Sequence, residues 1–186
     1  MYYGLEATII NKNYLKLWGF KEKDYEKTFS DLQLSKGVEK YLNEYIDNFP
    51  NGGGLCFMGN PKIITRTMAR TCKEIYDRGL FKNRVSLLDV PSHLIGINSL
   101  DFGDRSREEA KINENLINSD LFILQELGFT KWNEAQRTRL YSLIYKRYSN
   151  NLPMFITVNG TPESLEQNIG SSNFFRVADA CKFIQL

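Results

Sequence analysis

Histidine is almost absent from this chain: in 186 residues the only one is His93, close to Pro91, with no second imidazole to share a metal or a proton relay. A zinc site or a Ser-His-Asp triad therefore has nothing to stand on. Cysteine is scarce too. Cys56, Cys72 and Cys181 form no C-x-x-C pair, their number is odd, and Cys56 and Cys181 lie in apolar runs. That reads as reduced, buried thiols in a cytoplasmic protein rather than a disulfide framework. No run approaches the ~20 apolar residues that cross a bilayer, and no basic-then-apolar leader opens the sequence. An excess of either charge is also missing. Lys and Arg total 24 against 22 Asp and Glu, a net +2, so any nucleic-acid contact would need a local patch.

What is present suits one compact domain with a real core: 42% hydrophobic and 25% charged residues. The 10 Tyr and 12 Phe are read as core filling before a base-stacking surface. Residues 1–34 have no clean period and are expected to form an arm packed on the domain of residues 35–186. From Lys36 apolar residues recur at helical spacing through Ile46, up to Pro50. Leu55-Cys56-Phe57-Met58 is a short, wholly apolar run, as in a strand buried on both faces of a parallel sheet. A helix is expected from Ile63 to about Arg78, capped by Gly79, then a strand at Val85–Val90 stopped by Pro91. A short helix from His93 to Ile97 and a charged helix from Arg105 to Asn118 follow. Leu121–Leu124 and Met154–Val158 read as strands around a helix from Asn133 to Tyr148. Thr161-Pro162 opens another helix, a last one covers about Asn173 to Ala180, and Lys182–Leu186 closes as a strand. Such alternation predicts a three-layer α/β domain around a central, parallel, five-stranded sheet.

One strand-to-helix junction carries the functional argument. Where a nucleotide-binding domain places G-x-x-x-x-G-K-[ST], this chain has Gly59-Asn60-Pro61-Lys62-Ile63-Ile64-Thr65-Arg66. In the signature, backbone amides wrap the phosphates, the lysine neutralises the outer ones and the hydroxyl holds magnesium. Only the first glycine is in place. Ile64 stands at the second glycine, Thr65 at the lysine and Arg66 at the hydroxyl.

The surrounding context resembles a known family. LCFMGNPKIITRTMA is similar, without a gap, to the loop-and-helix run of the DnaC/DnaI/IstB-type AAA+ helicase loaders. LFILQELG resembles their second nucleotide motif, and LYSLIYKRYSNNLPMFITVNGTPESL their helix, strand and sensor asparagine. IGSSNFFRVADACKFIQL resembles their terminal segment, and TFSDLQL the stretch before the domain, so the likeness runs from about residue 14 to the end. It implies a P-loop NTPase fold of AAA+ type, here without a separate C-terminal lid.

On this resemblance Gln125 replaces the acidic residue that positions magnesium, while Glu126 keeps the one that polarises water. Asn159 matches the γ-phosphate sensor. Ser172 falls where an arginine is offered to a neighbouring subunit, and Arg176 matches a later arginine, a possible trans arginine. With an arginine finger alone worth ~10³–10⁵ in rate, the combined losses imply no hydrolysis. Glu126 and Asn159 are then vestigial, no ATP, magnesium or other metal is expected, and the chain is not expected to be an enzyme. The implied role is in DNA replication, as an adaptor, loader-like factor or modulator of the kind a phage or mobile element encodes. Its expected partners are the replicative helicase or a loader ATPase, with self-association and single-stranded DNA as further possibilities. Arg66, Arg70 and Lys73 share a helical face, and Arg137 and Arg147 lie on a later basic helix near Trp132 and Tyr145. A single-stranded nucleic-acid-binding module is thus an open alternative. An unusual ATPase relying on Lys62, Arg66 and Glu126 is a third.

Overall fold

The computed structural model describes residues 6–9, 15, 20–82, 84–93 and 102–186. In chain order they form β1 (Glu6–Ile9), α1 (Glu22–Tyr25), a 3₁₀ turn at Ser30–Leu32, α2 (Lys36–Asp47), β2 (Gly54–Met58) and α3 (Pro61–Asp77). Then come β3 (Arg84–Asp89), α4 (Phe102–Asn118), β4 (Leu121–Gln125), α5 (Glu134–Ser149), β5 (Met154–Val158), α6 (Pro162–Ile169), α7 (Ser171–Ala180) and β6 (Cys181–Gln185).

The strands make one sheet in the order β1-β3-β4-β5-β2-β6. All neighbours from β3 to β6 run parallel, which gives the expected five-stranded parallel sheet. β2 lies inside the sheet, between β5 and β6, and every one of its residues is buried, as an all-apolar strand with both faces covered should be. Its alternation sorts the core into two layers. Leu55 and Phe57 pack with Leu42 and Ile46 of α2 and with Met68, Cys72 and Ile75 of α3. Cys56 and Met58 face the other way, onto Leu140 and Ile144 of α5, Leu165 of α6 and Val177 of α7. Burial pushes the thiol of Cys181 up to about 12 and those of Cys56 and Cys72 well above their usual range, as expected of inert core thiols.

The helix starts follow their caps. Ser35 accepts from the Val38 amide, Asn133 and Gln136 cap each other's backbone, and Thr161 with Ser164 does the same ahead of Pro162.

Several expectations need correction. A sixth strand, β1, lies within the stretch read as an arm and pairs antiparallel with β3, Ala7 opposite Ser86. Four polar-apolar residues are too short for a period-2 pattern to declare itself. Leu15, Phe20, Phe29 and Leu32, from the same stretch, are buried in the α2–α3 core layer. Beyond β3 a helical turn already occupies residues 90–93, with Pro91 inside it, while residues 94–97 of the expected short helix lie outside the described residues. The last helix starts at Ser171, two residues before Asn173.

Candidate functional site

In an open parallel sheet, ligands bind beyond the carboxyl ends of the strands, where neighbouring connections diverge. β2, flanked by β5 and β6, while the chain leaves it for the distant β3, marks that point here. Gly59 and Asn60 follow β2 directly, Glu126 follows β4, and Asn159 follows β5. The sequence-predicted loop, second-motif and sensor positions thus share one end of the sheet.

The junction itself is not a wrapped loop. Only Gly59 and Asn60 separate β2 from α3, so residues 61–66 are helical. Asn60 is the N-cap and Pro61 the first helical residue, a pairing that pre-organises a helix start. The Asn60 side chain accepts from the Lys62 amide at 3.0 Å. Its carbonyl accepts from Ile63 at 3.0 Å and from Ile64 at 2.9 Å, and its own amide donates to the Leu186 carbonyl at 3.4 Å. Proline has no N–H. From residue 60 to residue 64, every amide is therefore taken up by the chain, whereas a phosphate cradle works by leaving such amides open.

Gly59 has φ +122°, and a β-carbon there would lie 1.8 Å from the Leu186 carbonyl oxygen. The Leu186 amide also donates to Met58 at 2.8 Å, so the end of β6 is laced across the Gly59 backbone. The glycine is explained by this backbone crossing without any ligand. Ile64, at the second signature glycine, is 3% exposed and belongs to the α2–α3 core layer. Thr65 turns its hydroxyl back onto the Pro61 carbonyl at 2.9 Å. Lys62 is exposed. Arg66 lies 3.6 Å from Asp24 of α1, and both side chains are mostly buried.

At the second motif, Gln125 ends β4 and Glu126 adopts a left-handed conformation, φ +56°. The Glu126 amide donates to the Thr157 hydroxyl at 2.9 Å, and the Leu127 amide to the Thr157 carbonyl at 2.9 Å. These bonds staple the exit of β4 to β5 and leave the Glu126 side chain exposed, as is Asn159. Among the described residues no three His, Cys, Asp or Glu side chains group as metal ligands.

The basic candidates are dispersed or neutralised. Arg70 pairs with Glu74 and Lys73 with Asp77, each one turn along α3, and Arg70 also reaches the Tyr25 carbonyl of α1. The face expected to be a free phosphate contact is thus covered by α1 and by carboxylates. Arg137 donates to the Gln167 carbonyl. Arg147 is the sharpest correction: it is 0% exposed, beneath the sheet's other end, and cannot touch nucleic acid there. It donates to the Ser119, Asp120 and Pro153 carbonyls, tying the entries of β4 and β5 together. Burial lowers its guanidinium to about 10, while Asp120 and Tyr45 oppose that shift.

Arg176 is half-buried on α7, its guanidinium 4.2 Å above the Tyr141 ring, with donor bonds to the Ser172 carbonyl and hydroxyl and to the Tyr141 oxygen. Tyr141 and Tyr145 stack in parallel at 5.7 Å. Sequence reasoning passed over this cluster, although Tyr141 and Tyr145 stand one turn apart on the same helix. It also missed the Asn60-Pro61 cap, a legible helix start, and began that helix at Ile63 instead.

No protein-family model and no curated protein sequence matches the chain. Solved structures do match in shape. The chain is similar to the DnaC helicase loader at a TM-score of 0.70 and 18% identity, covering 89% of this chain and 99% of that one. It is similar to DnaI at 0.68 and 14%, over 89% and 94%. The replication initiator DnaA, solved with AMPPCP and single-stranded DNA, matches at 0.68 and 13%, over 89% of this chain and 50% of that one. At these identities the likeness is one of fold: an α/β domain around a parallel five-stranded sheet, shared with DnaC, DnaI and DnaA.

Proposed function

We propose that this AAA+-fold chain acts in DNA replication as an adaptor that engages the replicative helicase or a helicase-loader ATPase, and that it neither hydrolyses ATP nor requires it. The observation that carries this reading is the junction after β2, where the amides of Asn60, Lys62, Ile63 and Ile64 are all satisfied within the chain. Opening a cradle there would mean unwinding the first turn of α3 and moving the end of β6. Phosphoryl transfer depends on positioning and charge neutralisation, and the three residues that supply them are each replaced: the lysine by Thr65, the magnesium-holding hydroxyl by Arg66 and the acidic residue by Gln125. The replication context rests on the fold shared with a helicase loader and a replication initiator.

Single-stranded nucleic acid is the less favoured partner, since Arg66, Arg70 and Lys73 already face carboxylates and Arg147 is in the core. The test is light scattering after size exclusion, with the chain alone and then mixed with the cognate helicase or loader in nucleotide-free buffer. A stable complex is expected, and the identity of the partner separates assistance of loading from inhibition. If the chain elutes alone in each mixture, yet binds a single-stranded oligonucleotide in a salt-dependent way, the adaptor reading fails.

A further inference from the structure

The amino end of the sheet, opposite the phosphate-loop position, carries a groove. A cavity of about 570 Å³ lies at the entries of β3 and β4, its lining including Lys82, Arg84, Ile117 and Asp120. A second, of about 500 Å³, lies at the entries of β2 and β6 and reaches Gly53, Asp179 and Ala180. Asn51, Asn151 and Leu152 line both, so the two adjoin at the entry of β5. In sheet order the groove thus crosses the entries of all five parallel strands. Strands about 4.8 Å apart make that track about 19 Å long, the span of about six residues of extended chain.

The lining chemistry matches a polypeptide. Ile117 is 52% exposed and shares its cavity with Leu80 and Leu152, which seats an apolar side chain. The side-chain amides of Asn51, Asn118 and Asn151 have no partner among the described residues. Each can donate and accept, a pattern that a peptide backbone answers and that phosphate, an acceptor only, does not.

Charge gives the occupant its sign and direction. At the β3 end Lys82 has no carboxylate partner among the described residues, and Arg84 donates to the Asn115 amide oxygen at 2.9 Å. Asp120 is answered from within: its carboxylate accepts the Lys82 amide at 2.6 Å, and its charge faces that of Arg147. At the β6 end stands the exposed Asp179. A nucleic-acid strand, charged at every phosphate, would be attracted at one end and repelled at the other. A peptide acidic at one end alone suits both.

We propose that this groove docks an extended peptide segment of a partner protein, with an acidic residue beside Lys82 and Arg84 and a large apolar one on Ile117. The experiment is selection of a random peptide display library on the full chain, then fluorescence anisotropy of the enriched peptides. These are expected to carry Asp or Glu within a few positions of a large apolar residue. Ile117→Asp, at a half-exposed site, and Lys82→Glu, which keeps its backbone bond to Asp120, should each weaken binding by about tenfold or more. Exchanging the acidic residue of the peptide for lysine should recover binding to Lys82→Glu. Lys40→Glu, on α2 and in neither cavity, should change nothing, and near-ultraviolet circular dichroism checks that each variant is folded. The proposal is overturned if no peptide is enriched over a blank support, if binding ignores both groove variants, or if the charge exchange recovers nothing. Tighter binding of an oligo-dT strand, lost in Lys82→Glu, would equally overturn it and make the groove a nucleic-acid contact.

Discussion

Gly59→Ala separates two explanations of the one signature residue that is in place. Were Gly59 there to admit a phosphate, the substitution would alter ligand binding and leave the empty fold nearly as stable as before. The structure demands the opposite. At φ +122° an alanine is strained by roughly 1–3 kcal/mol. Its β-carbon would also sit 1.8 Å from the Leu186 oxygen and 2.9 Å from the Leu186 carbon, both backbone atoms that cannot swing aside as a side chain would. Relief requires moving the end of β6, which breaks the bonds from Leu186 to Met58 and from Asn60 to Leu186, about 1 kcal/mol each. The combined loss is about 3–5 kcal/mol, a large share of the 5–15 kcal/mol typical of a domain. Urea unfolding measures it through the shift in midpoint. The control is Gly79→Ala, where φ is also positive, +66°, but nothing lies within 4 Å of the added carbon, so only about 1 kcal/mol is expected. If Gly59→Ala unfolds no earlier than Gly79→Ala, the crossing of β6 over Gly59 is wrong.

Other perturbations probe other parts of the account. Asn60→Ala removes the cap of α3 and should cost about 1 kcal/mol in chemical unfolding; an unchanged midpoint would mean that the closed junction does not need its cap. Arg147→Met removes the donors that hold three carbonyls at the entries of β4 and β5 and should cost about 3–5 kcal/mol. If it instead weakens oligonucleotide binding with the midpoint unmoved, Arg147 is a surface contact after all. His93 is 7% exposed, and burial, helped by Arg139, lowers its imidazole from 6.5 to about 4. Above pH 6.5 the imidazole is neutral in both folded and unfolded chains. Between 6.5 and about 4 only the unfolded chain gains the proton, so acidification should remove about 3 kcal/mol of stability. His93→Leu should flatten that part of the pH profile, and parallel profiles for the two proteins would refute the assignment.

The parts of the fold read correctly were those whose residues announce themselves locally. Leu55–Met58 and Met154–Phe155-Ile156 are apolar throughout because both faces are covered, and Thr161-Pro162 is a cap with its own chemistry. What stayed hidden depends on partners distant in sequence. Glu6–Ile9 becomes a strand because Arg84–Leu87 offers it an edge, and nothing in four residues foretells that. Arg147 looks like a surface cation on an amphipathic helix until the strand entries close around it, since a buried arginine is legible only through the carbonyls it serves. The junction after β2 was half legible. Ile64, Thr65 and Arg66 told against a phosphate loop, but the alignment to an eight-residue motif concealed that the helix had already begun at Pro61. That Gly59 has a reason of its own could not be seen at all, because its neighbour Leu186 is at the far end of the chain.

The central claim is that the phosphate-loop position is filled by the chain itself. It is tested most directly by calorimetric titration of the full chain with ATP, with and without magnesium. The account predicts no saturable heat up to roughly millimolar nucleotide, about 4 kcal/mol of binding free energy. Tight, magnesium-dependent binding, with turnover abolished in Glu126→Gln, would contradict it.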